Sequence, residues 1–378
     1  MDQNIFPILK STVQFYRIGN NSYFKTSGSA VEFEDPLGVI AALCELMNGR
    51  RNIKELREIL GDRYPTAGEH ILDVINVLDD SYLLDDARTL PTNMNDYELK
   101  RWSRNFEFFG AYCRINENKY DHQKKLKDTK VVILGLGGLG SHILYDLVAL
   151  GVLNIRAVDF DRIELSNLNR HLFYKEDDIG KLKTEAMQAQ ISEFCKPAKI
   201  EFINKKIESM QDIEYLIKGH DIVICVADKP RVHIQHWLNS ACFRLGIPFI
   251  TGGLDTKQAA FFSVMPGQDG CVECWKNSIK DNPIAHQILE NEYKAGESAI
   301  PAPAIVPLVS ILTGLIVSEF LKIITGLSQR QAASRLLSYD FDTAQILRTE
   351  NWYKAPECYT CSSLVTLKKC KYPQQQEL

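Results

Sequence analysis

The chain has no excess of charge of either sign. Forty-four Lys and Arg stand against 48 Asp and Glu, for a formal net charge of −4. Bulk electrostatics therefore give no attraction to nucleic acid or to an anionic membrane, and neither is expected as a partner. The N-terminal "MDQNIFPILK" lacks the basic-then-apolar pattern of a secretion signal, so a cytoplasmic location is expected. No long apolar run goes uninterrupted. The most apolar stretch, Ile305 to Ile324, contains Pro307, Ser310, Thr313, Gly314, Ser318, Glu319 and Lys322. It reads as a buried helix rather than a membrane span. Repeats and long low-complexity segments are missing too. Ten cysteines in a chain without a secretion signal argue for thiols or metal ligands, not a disulfide framework. What remains is a chain of 378 residues with ordinary globular composition, enough for two or three domains.

Residues 12–33, "TVQFYRIGNNSYFKTSGSAVEF", alternate at period two around the turn signals "GNN" and "SGS", which predicts two or three short antiparallel strands. Val39, Ile40, Leu43, Leu46 and Met47 share a helical face that Gly49 closes, and Ile53, Leu56, Ile59 and Leu60 repeat the pattern. "TAGEHILDVINVLDDSYLLDD" predicts a third helix and a short strand. Residues 1–86 are thus expected to form a small α+β unit of winged-helix type. It carries no catalytic-looking cluster. It is either a packing domain or a peptide clamp whose strand edge pairs with an extended peptide. Residues 87–126 read as a polar connector with one helical patch, "DYELKRWSRNFEFFGAYC". From residue 127 to 378 strands and helices alternate, with strands expected at 130–134, 154–159, 199–203, 221–225 and 248–251. That alternation predicts an α/β domain with a Rossmann-like, mostly parallel sheet.

Gly135, Gly137 and Gly140 fit G-x-G-x-x-G between the first of these strands and a helix. Such glycines permit a tight turn and let backbone N–H groups approach phosphate at a helix N-terminus. Asp159 closes the next strand at the spacing of a ribose-binding acid, which suits NAD and ATP equally. The segment after it discriminates. "DFDRIELSNLNRHLFYKEDDIGKLKTEA" packs Asn167, Arg170, Lys181 and Lys183 together. Hydride transfer has no need of such cations, whereas a triphosphate does. Singly each would be a solvated surface charge; together they point to ATP. Asp228 lies just past strand 221–225, where ligands sit in open α/β sheets, and an acid facing a triphosphate is suited to Mg²⁺.

Cys271-x-x-Cys274 and Cys358-x-x-Cys361 are two knuckles in turn-like contexts, "GQDGCVEC" and "APECYTC". Four thiolates in this arrangement bind Zn²⁺ and leave no position for water, so the expected site is structural. Cys44, Cys113, Cys195, Cys225 and Cys242 lie in apolar patterns and are expected in the core, while Cys370 has no assigned role.

The motifs "GLGGLG", "VDFDRIELSNLNRH", "DIGKLKTEA", "VADKPRVH" and the two cysteine pairs, in this order over residues 101–361, resemble the ubiquitin-activating-enzyme superfamily in its bacterial branch. That branch comprises the sulfur-carrier adenylyltransferases and the adenylyltransferase of microcin C maturation. The resemblance implies acyl-adenylate chemistry with release of pyrophosphate. It implies Asp159 on the ribose with Asp161 beside it, Asn167, Arg170 and Lys183 on the triphosphate, and Asp228 near magnesium. "RWSRNF" resembles a helix whose arginine, here Arg104, reaches the nucleotide of a partner subunit, which implies a homodimer. His171 stands where most members carry Gln.

No cysteine lies between Cys274 and Cys358, including the crossover segment "NSIKDNPIAHQILENEYKAGESAIPAPA". A thioester relay through that segment is therefore not expected. Together with "SRNFEFFGAY", "EDDIGKLKTE" and the N-terminal unit, this brings the chain nearest the microcin C branch. The expected function is adenylation of a carboxylate or amide of a ribosomally made precursor peptide whose leader the N-terminal unit holds. Two alternatives stay open: adenylation of a folded sulfur carrier ending in Gly-Gly, and non-catalytic presentation of a leader to a cyclodehydratase. Retention of Asp159, Asn167, Arg170, Lys183 and Asp228 together speaks against the last.

Overall fold

The computed structural model describes residues 2–66, 70–231, 233–279, 283–284, 287, 291 and 303–362. Cys370 and most of the crossover segment lie outside the described residues. The chain divides into two compact units, residues 1–125 and 126–378.

In the first unit, strands β2 (Gln14–Ile18), β3 (Asn21–Lys25) and β4 (Ala30–Glu34) form an antiparallel sheet in that order, with β2 and β4 at its edges. Phe24 on the central strand is fully buried between Phe15 and Phe33, whose rings lie 5.2 and 5.6 Å away. Three helices follow: α1 (Val39–Leu46), α2 (Ile53–Arg63) and α3 (Ile71–Asp80). Asn52 and Glu55 close a reciprocal capping box on α2, satisfying two of its first-turn donors. Leu43, Ile53, Leu56, Leu60, Ile71 and Ile75 are fully buried and form the core with Phe24. Ile59, on the predicted apolar face, is 39% exposed. β1 (Pro7–Leu9) pairs antiparallel with β5 (Leu84–Asp86).

Residues 87–125 do not stand apart as a polar connector; they fall within this unit. They form α4 (Asp96–Arg101), α5 (Ser103–Gly110) and the start of α6 (Lys119–Asp128). Trp102, Phe106 and Phe109, at helical spacing among charged residues, are buried. Buried Lys10 donates to the Cys113 carbonyl at 2.6 Å, and Asp79 accepts the Ile115 N–H at 2.7 Å. These polar ties lock the segment onto the strands and α3.

The second unit is an eight-stranded sheet in the order β13-β12-β11-β10-β9-β6-β7-β8. Its parallel half comprises β6 (Lys130–Leu134), β7 (Asn154–Val158), β8 (Lys199–Ile203), β9 (Ile222–Cys225) and β10 (Phe249–Leu254). These match the expected strands to within three residues at any end. β6 from Val131 onward and all of β9 are four-residue apolar runs buried throughout, as a sheet covered on both faces requires. Helices α7 (Gly138–Leu150), α8 (Lys183–Phe194), α9 (Met210–Ile217) and α10 (Ile234–Leu245) connect them. From β6 the chain steps outward to β7 and β8, then returns to β9 on the other side of β6. The strand order therefore reverses between β6 and β9.

Three antiparallel strands extend the sheet: β11 (Gln258–Val264), β12 (Arg335–Asp340) and β13 (Gln345–Asn351). α11 (Val272–Ile279) follows β11. α12 (Val306–Thr325) packs against α7, β10 and β11. By length and composition it could cross a membrane, but it is largely buried in this fold, with Leu312, Ile316 and Phe320 fully covered. Glu319 on α12, 1% exposed, accepts from the Ser263 hydroxyl at 2.9 Å and from the backbone N–H groups of Ala332 and Gln331, each at 3.2 Å. One carboxylate thus joins α12, β11 and the approach to β12.

Glu319→Ala should destabilise the second unit by about 3 kcal/mol, because two buried donors and a half-buried one lose their acceptor. Urea unfolding would measure it, and Glu319→Gln, which keeps one acceptor oxygen, should lose less.

Candidate functional site: a glycine-loop crevice and a four-cysteine cage

The carboxyl ends of β7, β6 and β9 lie side by side, since Leu134 registers with both Val158 and Cys225. Gly135, Asp159 and Asp228 therefore emerge into one crevice at the point where the strand order reverses. Open α/β sheets bind ligands at such points.

The glycines are required by contact. Gly135 has φ +97°, and a Cβ there would lie 2.9 Å from the Ala227 nitrogen. A Cβ on Gly140 would fall 1.8 Å from the Gly135 carbonyl oxygen. Gly137 precedes α7, and no side chain caps the helix. Its first-turn N–H groups and positive end thus face the crevice.

Asp159, at the end of β7, is 9% exposed. It accepts the Leu136 N–H at 2.6 Å and the Asp161 N–H at 2.7 Å, so it fastens the glycine loop to its own strand. Burial raises its carboxyl pKa, opposed by Lys183 and by those two N–H groups. Lys183, the first residue of α8 and 6% exposed, lies 2.8 Å from Asp161 and 3.9 Å from Asp159. A buried ammonium here is held by two carboxylates, one of which also binds the loop.

Asn167 closes a 3-10 turn (Leu165–Asn167), its side-chain oxygen accepting the Glu164 N–H at 3.2 Å. Arg170 is half-buried and donates to the Ser166 carbonyl at 3.1 Å and the Asn169 side chain at 2.8 Å. Asp228 is exposed and has no hydrogen-bond partner among the described residues. Its free carboxylate suits an oxygen-preferring cation. Lys181 does not join the group around Lys183: it pairs with Asp178 at 2.8 Å on the surface. Arg104 is exposed on α5 of the first unit, whereas the loop, the acids and Lys183 all belong to the second.

One participant was not legible in the sequence. Tyr174 is buried and donates its hydroxyl to the Leu136 carbonyl at 2.7 Å, holding the same loop residue whose N–H Asp159 accepts. Its only signal was an aromatic in a polar segment. Beside it His171 is 3% exposed, and burial, with Lys183 and Arg170 nearby, brings its pKa down to about 3. The imidazole is therefore neutral.

The two C-x-x-C knuckles converge. Cys271 and Cys274 sulfurs lie 3.7 Å apart, Cys271 and Cys358 3.5 Å, Cys274 and Cys361 3.4 Å, and all four are within 4.8 Å of one another. Zinc with four 2.3 Å bonds to sulfur sets neighbouring sulfurs about 3.8 Å apart, so the cage fits it. All four residues are buried, and burial pushes the Cys271 and Cys361 thiols up. A dication would supply the positive charge that ionises them. The Ala355 N–H points to the Cys274 sulfur at 3.2 Å, and Arg330 grips Asp269 at 2.7 and 3.2 Å, fixing the turn before Cys271. Of the cysteines expected in the core, Cys113, Cys195, Cys225 and Cys242 are buried, whereas Cys44 is partly exposed.

Residues 112–360 match the ThiF family. The molybdopterin-synthase adenylyltransferase of Escherichia coli (strain K12) is 26% identical over 270 residues, 71% of this chain and 98% of that protein. The structure of E. coli MccB with ATP superposes with a TM-score of 0.74 at 25% identity, over 94% of this chain and 99% of that one. The microcin C7 biosynthetic enzyme MccB in complex with N-formylated MccA gives the same TM-score and coverage at 24% identity, a likeness of fold.

Stripping metal with a strong chelator should lower the melting temperature by roughly 5–10 °C, because metal affinity at a closed thiolate site contributes to folding. Elemental analysis of the purified protein should find one zinc per chain, and Cys274→Ser should reproduce the chelator's effect.

Proposed function

The chain belongs to the ThiF family and is an ATP-dependent adenylyltransferase; we propose that its substrate is a ribosomally made precursor peptide, activated at a carboxylate or amide as one step of a peptide natural-product pathway. The observation that carries this proposal is the extra unit. The molybdopterin-synthase relative is matched almost end to end within 71% of this chain, whereas MccB is matched over 94%. The additional residues supply a small three-stranded sheet with β2 and β4 as edges, where an extended peptide can add as a further strand. In this division of labour residues 1–86 hold the leader, 87–126 carry the dimer-contacting helix, and 127–378 perform adenylation.

In the proposed chemistry ATP lies on the glycine loop, its ribose on Asp159 and its phosphates toward α7, Asn167, Arg170 and Lys183. A substrate carboxylate oxygen attacks the α-phosphorus, the C–O–P linkage forms, and the bond to pyrophosphate breaks. Charge grows on the phosphate oxygens, and Lys183 and Arg170 stabilise it. The attacking carboxylate is already ionised, so no general base is required. Mg²⁺, which would be held at Asp228, neutralises phosphate charge when bound. The four-cysteine cage sits among the buried residues of the sheet's core and has a structural role. Arg104 acts across a homodimer on the nucleotide of the partner subunit.

A second substrate class, a folded sulfur carrier ending in Gly-Gly, is supported by the molybdopterin-synthase relative. Nucleotide products decide between them. With a precursor peptide from a neighbouring reading frame, the protein should release pyrophosphate and AMP or form a nucleotide-bearing peptide, and a folded Gly-Gly carrier should not stimulate it. Lys183→Ala should reduce ATP–pyrophosphate exchange at least a hundredfold with the fold intact. Tight peptide binding without nucleotide turnover would instead identify a leader-presenting module.

Mixing Arg104→Ala with Lys183→Ala should restore part of the lost activity, because a mixed dimer retains one site with both residues. Absence of recovery would place Arg104 outside the chemistry.

A further inference from the structure

His171 has no part in the chemistry derived above, yet it is among the most buried polar side chains of the crevice, at 3% exposure. Its Nδ1 is buried without a hydrogen-bond partner. Its other ring edge lies against the start of α7. A Cβ at Gly137 would sit 3.8 Å from Nε2, and one at Gly138 would sit 3.3 Å from Cδ2. That edge therefore meets the turn whose uncapped N–H groups face the crevice. The groups around the imidazole are Lys183, Arg170, His142 and Asp161, with the Tyr174 ring 5.7 Å away.

A neutral imidazole carries one N–H. At Nδ1 it would be a buried donor with nothing to receive it, which is costly. At Nε2 it is directed at the first turn of α7, where an anion gathers N–H groups. A protonated ring would repel Lys183 and Arg170, so this position selects a donor without charge. Packing alone would be served by a leucine at no cost in unpaired nitrogen.

We propose that His171 donates its Nε2–H to a phosphate oxygen of the bound nucleotide and so discriminates a phosphorylated ligand from the bare nucleoside. This assignment rests on nucleotide occupying the glycine loop, as proposed above. Lys183 and Arg170 contribute charge, and the imidazole contributes direction: one short donor that fixes where a phosphate oxygen sits relative to the helix end.

The test uses the full chain and direct binding of ATP and adenosine, measured separately from turnover. His171→Leu fills the space without a donor, and His171→Gln offers an amide N–H instead. His171→Leu should weaken ATP about tenfold to a hundredfold, the range for one hydrogen bond to a charged group, and leave adenosine within about twofold. His171→Gln should bind ATP within about threefold of the unaltered protein. The proposal is overturned if His171→Leu binds ATP normally, if ATP and adenosine weaken by the same factor, or if His171→Gln loses as much as His171→Leu. Should His171→Leu fail to fold, nitrogen-15-labelled histidine in the unaltered protein gives the answer. The Nε2–H resonance of His171, identified by its loss in His171→Gln, should move with ATP and stay put with adenosine; no ATP-specific movement overturns the assignment. If the unaltered protein binds adenosine and ATP nowhere, the nucleotide site itself fails, and that outcome is distinct from a silent His171.

Discussion

The approach of Gly140 to the Gly135 carbonyl leaves no room for a single methyl group. The organisation of the crevice depends on that contact. It turns the chain from β6 into α7 within three residues, Gly135 to Gly137, so the start of the helix lies against the end of the strand. Asp159 then reaches the Leu136 N–H from β7, and Tyr174 reaches the Leu136 carbonyl from the following segment. One residue of the loop is thus held through both its backbone polar groups by two side chains from outside it. A loop fixed in this way presents its donors without reorganising when an anion arrives.

The second constraint is charge. Lys183 is buried, and a buried ammonium is tolerated only with partners. Asp161 at 2.8 Å and Asp159 at 3.9 Å provide them. One cation is thus held between two carboxylates, of which Asp159 also binds the glycine loop. The triphosphate proposed for this crevice would bring more negative charge than either acid. Among the described residues Arg170 is tied to a backbone carbonyl and a side-chain amide rather than to a carboxylate.

The antiparallel half of the sheet secures the crevice from the far side of β9. Glu319 joins α12 to β11 and to the approach to β12, and α12 also packs on α7, the helix that carries the glycine loop. The cysteine cage ties α11 to the segment after β13, two stretches separated by more than eighty residues of sequence. A metal held there would cross-link that span much as a disulfide does, while tolerating a reducing environment.

Much of this was present in the sequence because it depends on local pattern. Apolar runs marked β6 and β9, and the regular alternation with helical segments marked the other parallel strands. The glycine spacing marked the loop, and two C-x-x-C pairs marked the cage, since ligand type and spacing alone decide tetrahedral thiolate binding. The antiparallel strands β11 to β13 gave no such signal. β13 is exposed along its length and pairs with partners chosen by tertiary contact rather than by its own periodicity. The segment around Trp102, Phe106 and Phe109 read as a polar connector because charged residues separate its aromatics, and only its packing within the first unit showed which face was buried. Residue type and spacing singled out Asp159 and Lys183. Three things came only from the fold: Asp159 accepts from the backbone of Leu136 and of Asp161, Asp161 is the nearest acid to Lys183, and Tyr174 holds the Leu136 carbonyl. Hydrogen-bond partners distant in sequence are set by where strands and helices come together, and no local spacing encodes them.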